Sequence, residues 1–256
     1  TNLLDIVNKR ADQWLVGRQL GIVTLGYYAV AQRVFTLMMQ LGVSTFRKVA
    51  AGAFSRLQKE PERLASAFLK SLELATAVTF PAFIGFATLA PEILSAFFGS
   101  KWLASVPSMQ LLMVLGVVQT VQFFESQLLC AVGKPHWHLS IYTLNTVTSL
   151  AVFIVTVKHG LETMVAAFVI RGALLAPVST WCILRTIPVR FSQYASKLWP
   201  QILSSMVMGG VLIVLTAYLR HHLHSAVLLA IGVPVGLLVH FGSLLVLRPA
   251  LIREIG

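Results

Sequence analysis

Residues 225–247 read SAVLLAIGVPVGLLVHFGSLLVL, a run of 23 residues without Asp, Glu, Lys or Arg. At 1.5 Å per residue, a helix needs roughly 20 mostly apolar residues to cross about 30 Å of hydrocarbon. The run is long enough and shows none of the apolar–polar alternation of a barrel strand. An open strand could not satisfy its backbone in lipid, so the run is a transmembrane helix.

The same reading, carried outward from this run, finds seven more candidate spans. They are residues 198–219, 163–187, 137–157, 106–132, 72–98, 25–46 and, short and polar on one face, 3–17. Breakers separate them: Gly21, Pro61, Gly99 to Pro107, Gly133-Lys134-Pro135, His159-Gly160, Pro188 and Arg220-His221-His222. The expected fold is an all-α polytopic membrane bundle of about eight helices.

Composition agrees. Of 256 residues, 57% are apolar and 11% charged, with a mean hydropathy of +0.80. A soluble domain carries about 25% charged residues to solvate its surface. That excludes a soluble globular body, a disordered chain, a disulfide scaffold and a coiled coil. Cys130 and Cys182 both sit in apolar stretches and suggest no bridge. The net charge of +11 would point to nucleic acid in a soluble protein. Here the cations flank apolar runs, so they report topology and no nucleic-acid partner is expected. The chain opens TNLLDIVNKRADQW, without an initiator Met or a signal segment, and is expected to be a piece of a longer membrane protein.

The loops test the span count. Arg47, Lys48, Arg56, Lys59, Arg63, Lys70, Lys134, Arg185, Arg190, Lys197, Arg248 and Arg253 fall on one side, twelve in all. Arg18, Lys101, Lys158 and Arg220, four in all, fall on the other. Twelve against four over alternating loops is a positive-inside bias, which makes the C-terminus and the basic loop 47–70 cytoplasmic. Anionic headgroups would attract that loop.

Charges inside the spans are costly and mark function. Arg33, with Gln32 beside it, lies in YYAVAQRVFTLMM, and Arg171 in AAFVIRGALLAP. Gln119, Gln122 and Glu125 share one stripe, Asp5, Asn8 and Asp12 another with Lys9 beside it, and Asn145, Thr146 and Thr148 add polarity to the fifth span. Such groups are expected to converge on an interior cavity. Its arginines would suit a phosphate or another anion through multiple donors. The other reading pairs an arginine with Glu125 or Asp12 to pin helix packing, and both stand at this point. Pro81, Pro177 and Pro234 should bend their helices, as hinges or as ordinary bundle bends. A proline is tolerated there only if a neighbour satisfies the freed carbonyl.

Other signals are weaker. His221, His222 and His224 read as a solvated loop, and no metal or other cofactor is expected. His136 and His138 flank Trp137 as membrane anchors. Gly232 and Gly236 suit a close helix contact. No phosphate-cradling loop, Ser/His/Asp constellation or nucleotide fingerprint occurs, so a transporter is favoured over an enzyme.

Several blocks resemble the polysaccharide flippases (Wzx-type) of the multidrug/oligosaccharidyl-lipid/polysaccharide exporter superfamily. They are Asn8 to Gly21 (NKRADQWLVGRQLG), Leu25 to Arg33 (LGYYAVAQR), Phe54-Ser55-Arg56-Leu57-Gln58, Pro81 to Gly85 with Leu89-Ala90-Pro91-Glu92, Phe98 to Trp102, and Ala131-Val132-Gly133-Lys134-Pro135. The resemblance covers about residues 1–190. The chain departs from it at Leu41-Gly42-Val43 and Lys48-Val49-Ala50, where the family often has a proline.

The resemblance implies an inner-membrane protein of two helical lobes around a central cavity. It would flip undecaprenyl-diphosphate-linked oligosaccharide for lipopolysaccharide, exopolysaccharide or capsule synthesis. Residues 1–190 would form the second lobe, of six helices, residues 191–256 two further helices, and the first lobe would be absent from this chain. Arg33, Arg171, Lys9, Arg10, Gln32 and Asn145 are the expected substrate contacts, and Asp12 and Glu125 the ion-coupling candidates. Membrane lipids and the polymerase and chain-length machinery are the expected partners. The alternatives are an ion-coupled drug or metabolite antiporter of the same superfamily and, behind it, a membrane polymerase or ligase.

Overall fold

The structure, a computed structural model, describes residues 2–220 and 223–247, without the side chains of residues 2–10, 44, 45, 47–49 and 51. It is helical throughout. α1 (Asn2–Leu20) and α2 (Ile22–Met38) form a hairpin about Gly21, whose φ of 87° suits a residue without Cβ. A π-helical turn, Met39–Val43, leads from α2 into α3 (Ser44–Leu57). It lies where the resembled family often places a proline, so the chain carries a different irregularity at that point. α4 (Pro61–Thr88) and α5 (Ala90–Phe97) follow, then a 3-10 turn Ser100–Ser105 and α6 (Val106–Ala131). α7 (Pro135–Thr156), a 3-10 turn Val157–His159, α8 (Leu161–Leu184), α9 (Phe191–Leu219) and α10 (Ser225–Leu247) complete the chain.

Seven helical stretches among the described residues are long and apolar enough to span a bilayer. The expected eighth, α1, is a helix of 19 residues, but Asp12, Gln13, Arg18 and Gln19 keep its middle and end too polar to join them. The basic segment expected as a loop is helical: α3 and the first turns of α4 carry it, with Phe54 buried and Arg56 exposed. The span expected from Leu72 to Phe98 breaks at Leu89, and Pro91 sits in the first turn of α5. α9 begins at Phe191, before the expected Leu198, where Gln193 Oε1 accepts the Arg190 amide at 3.0 Å. Lys197, read as a loop cation, lies inside this helix.

The bundle's outer surface is inverted relative to a soluble protein. Val214 is 70% exposed, Leu238 74% and Val246 83%, while Gln201 and His240 are fully buried. Lipid solvates such a surface without penalty. The last two helices lie along α4. Lys197 Nζ is 2.6 Å from Glu73 Oε2, Gly85 faces Met208, and Arg220 meets Glu92, so α4–α5 and α9 run in the same direction. α10 returns antiparallel, with Gly232 and Gly236 against Leu212 as their spacing suggests.

Pro81 meets the condition set by its chemistry. Proline has no N–H, so the carbonyl four residues earlier, Ala77, loses its helical donor. His240 Nε2 sits 3.1 Å from that carbonyl, which can only accept, so this nitrogen carries the proton. Pro177 lies inside α8, Pro234 inside α10 and Pro200, not singled out in the sequence, inside α9.

Candidate functional site

A cavity of about 260 Å³ opens between α6, α7 and α8. α6 presents Gln119, Gln122 and Glu125, the stripe read from the sequence. α7 presents His138, Tyr142, Asn145 and Ser149, a second stripe at helical spacing of which only Asn145 was anticipated. α8 contributes Arg171 and Ser179.

Arg171 is held by neutral oxygens. Its Nη1 donates to the Asn145 carbonyl at 3.0 Å, to Asn145 Oδ1 at 3.1 Å and to Thr148 Oγ1 at 3.0 Å. The guanidinium carbon lies 5.0 Å from the centre of the Phe168 ring, within cation–π range. Nε is buried without a hydrogen-bond partner among the described residues. Among the described residues no carboxylate forms an ion pair with Arg171.

Glu125 sits across the same cavity, 1% exposed. Thr180 Oγ1 and Tyr194 OH each donate to its Oε1 at 2.8 Å. Oε2 has no hydrogen-bond partner among the described residues, and the Ser179 hydroxyl near the carboxyl donates to the Ala176 carbonyl at 3.0 Å. Tyr194 comes from α9, 69 residues away in sequence, which is why no local pattern announces it.

The remaining expected site residues lie elsewhere. Asp12, 3% exposed, accepts from Tyr28 OH and Gln32 Nε2 at Oδ2 and from the Gln13 amide at Oδ1, each at 2.7 Å. Gln32 Oε1 accepts from Gln13 Nε2 at 2.5 Å. This network ties α1 to α2, and Gln32 belongs to it rather than to the cavity. Arg33 is exposed on α2, outside the cavity and without an ion pair among the described residues. The convergence of both arginines on one hollow, expected from burial cost, is not observed within this chain. The side chains of Lys9 and Arg10, and of Arg47 and Lys48, lie outside the described residues, as do His221, His222, Arg248 and Arg253.

The chain is similar in sequence and fold to several known proteins. Residues 1–107 match the family model described as "Polysaccharide biosynthesis protein". The chain is 24% identical over 243 residues to the teichuronic acid biosynthesis protein TuaB of Bacillus subtilis, covering 93% of this chain and 50% of TuaB. It is 27% identical over 120 residues to the lipopolysaccharide biosynthesis protein WzxC of Escherichia coli, covering 47% of this chain and 24% of WzxC. The succinoglycan biosynthesis transport protein ExoT of Rhizobium meliloti is 21% identical over 259 residues, covering all of this chain and 52% of ExoT. The chain thus spans about half the length of TuaB and ExoT. Its fold superposes on the lipid II flippase MurJ in an inward closed conformation, with a TM-score of 0.80 and 16% identity, over 98% of this chain and 52% of MurJ. The chain is therefore a multi-pass membrane protein similar to proteins named for polysaccharide biosynthesis and transport, and it shares the helical fold of MurJ.

Proposed function

We propose that the chain forms the second half of a bacterial inner-membrane flippase for a lipid-linked glycan, with its C-terminus in the cytoplasm. One observation carries this reading: Arg171, half-buried in a polar cavity within the spans, is oriented by three neutral oxygens and has no carboxylate partner among the described residues. A cation kept in a membrane interior at such cost suits an anionic cargo, and the diphosphate of a polyprenyl-linked oligosaccharide is such a group. Gln119 and Gln122 line the same cavity and offer amides that can donate to phosphate oxygens and exchange hydrogen bonds with sugar hydroxyls, while Asn145 orients Arg171. The names of the relatives, which concern polysaccharide synthesis and transport, support the same cargo.

In this reading residues 1–190 form one lobe and residues 191–256 two further helices. The lobe faces a partner lobe across a central cavity. Arg33, exposed on α2, faces that partner lobe, with Lys9 and Arg10 near the mouth. The lobes rock to open alternately to each side, and the helices carrying Pro81, Pro177 and Pro234 absorb the motion. Glu125 is the candidate for ion coupling, since it shares the cavity with Arg171. Asp12, with both oxygens committed, serves as a tie. The product would pass to the polymerase and chain-length machinery. The chain moves its substrate and does no covalent chemistry on it.

The test is complementation of a flippase-null strain by the full-length protein carrying Arg171→Ala, Arg171→Lys or Arg33→Ala, at matched expression. Arg171→Ala is expected to cut polymer output at least tenfold, about the effect of losing one charge-assisted hydrogen bond. Arg171→Lys should recover part of it, because a point charge replaces a multi-donor fork. Wild-type polymer from both alanine variants overturns the proposal.

A further inference from the structure

A second hollow, of about 350 Å³, lies on the outside of the α7–α8 seam and is lined by Trp137, Ile141, Leu144, Val178, Trp181 and Cys182 among others. It faces away from the interior: Leu144 is 43% and Trp181 53% exposed. The two indoles stack across the helices, with centroids 6.3 Å apart and planes 10° from parallel. Each ring carries a cation. Lys134 Nζ is 5.4 Å from the Trp137 centroid, and the Arg185 guanidinium carbon is 4.9 Å from that of Trp181. Neither cation pairs with a carboxylate among the described residues. Both fall on the cation-rich side in the loop count.

A belt tryptophan at the membrane surface needs no partner. Here two of them are fixed face to face, each near an uncompensated cation, beside a concave apolar wall. An apolar slot with two positive charges at its mouth is complementary to an amphiphile with an anionic head. We propose that this hollow binds an anionic phospholipid of the surrounding bilayer. An acyl chain lies along Ile141, Leu144 and Val178, and the phosphate sits at Lys134 and Arg185.

The site is separate from the transport cavity and does not depend on the cargo proposed above. It nonetheless abuts that cavity, because Ile141 lines both hollows. A lipid seated there braces α7 against α8, the two helices that together hold Arg171 on Asn145 and Thr148.

The experiment is native mass spectrometry of the full-length protein equilibrated with equal amounts of phosphatidylglycerol and phosphatidylcholine. The wild type is expected to retain phosphatidylglycerol selectively. Lys134→Gln with Arg185→Gln should weaken that retention by about 25-fold, roughly fivefold for each basic side chain near an anionic headgroup. Val178→Trp, at a position 39% exposed, fills the slot with both cations intact and should abolish retention while leaving the unfolding temperature unchanged. If the double variant does not fold, the wild-type lipid preference and Val178→Trp decide the matter alone. Equal retention of phosphatidylcholine, unchanged binding in Val178→Trp, or displacement by inorganic phosphate or by an equimolar polyprenyl phosphate overturns the proposal.

Discussion

Asp12 and Glu125 are both carboxylates within a few percent of full burial, yet their surroundings give them different freedom. Both Asp12 oxygens are occupied, by a phenol, an amide side chain and a backbone N–H. Asp12→Ala leaves the buried Tyr28 OH without its acceptor, which costs about 1–3 kcal/mol, and the half-buried Gln32 Nε2 without its own, which costs less. Asp12→Asn keeps one acceptor oxygen and should lose less than half as much. Thermal unfolding of the purified full-length protein in detergent measures both. Transport is expected to survive Asp12→Asn, because a tie needs an acceptor and an ion-coupling site needs the charge; loss of transport with stability intact would return Asp12 to the coupling role. The sequence marked both residues through the cost of in-membrane charge, which is a one-body property. It could not separate them, because what distinguishes them is partners up to 69 residues away. Arg33 shows the same limit: its burial within this chain depends on which face of α2 is covered, and composition is silent on that.

Most breaks between the spans were legible because turns need particular residues. Gly133, at φ 74°, and Gly160, at φ 103°, fall at breaks read from the sequence. The misread boundaries have equally local causes. Pro91 starts α5 rather than interrupting a longer span, and the basic run after α2 forms a helix because Ala50 and Phe54 supply a buried side to α3. Contact between helices was not legible, and Gly116 shows why. A Cβ there would overlap the Phe83 ring, so α6 approaches α4 this closely only through the missing methyl. Nothing in the local sequence marks that approach. Phe83 is 1% exposed and cannot swing aside. Gly116→Ala is therefore expected to destabilise the bundle by about 1–3 kcal/mol, the usual cost of overpacking. Phe83→Leu removes the ring that clashes, so the double variant should be less destabilised than the sum of the singles. Simple additivity in a denaturation series on the four proteins would refute the contact.

Across the whole molecule, α9 and α10 are fastened to α4–α5 at three levels: Lys197 on Glu73, His240 on the Ala77 carbonyl freed by Pro81, and Arg220 on Glu92. The third joins residues 128 apart, and the two partners differ sharply in exposure. The Arg220 side chain is 53% exposed and Glu92 only 2%. Arg220 Nε and Nη2 donate to Glu92 Oε1 at 3.0 and 2.6 Å, and Oε2 has no hydrogen-bond partner among the described residues. The attraction between them is screened on the arginine side, so the pair adds little net stability by itself. Losing one member is a different matter. Arg220→Ala strands a buried carboxylate, for which about 3 kcal/mol is expected from broken buried pairs. Glu92→Gln removes the charge that needed compensation and should be much milder. Combining it with Arg220→Ala should therefore recover most of the loss, and the coupling between the two changes should be large and favourable. The readout is the unfolding midpoint of the full-length protein and its four-member cycle. If Glu92→Gln fails to rescue Arg220→Ala, the end of α9 is held by packing against α5 and α10, and the ion pair is incidental to how these last helices dock.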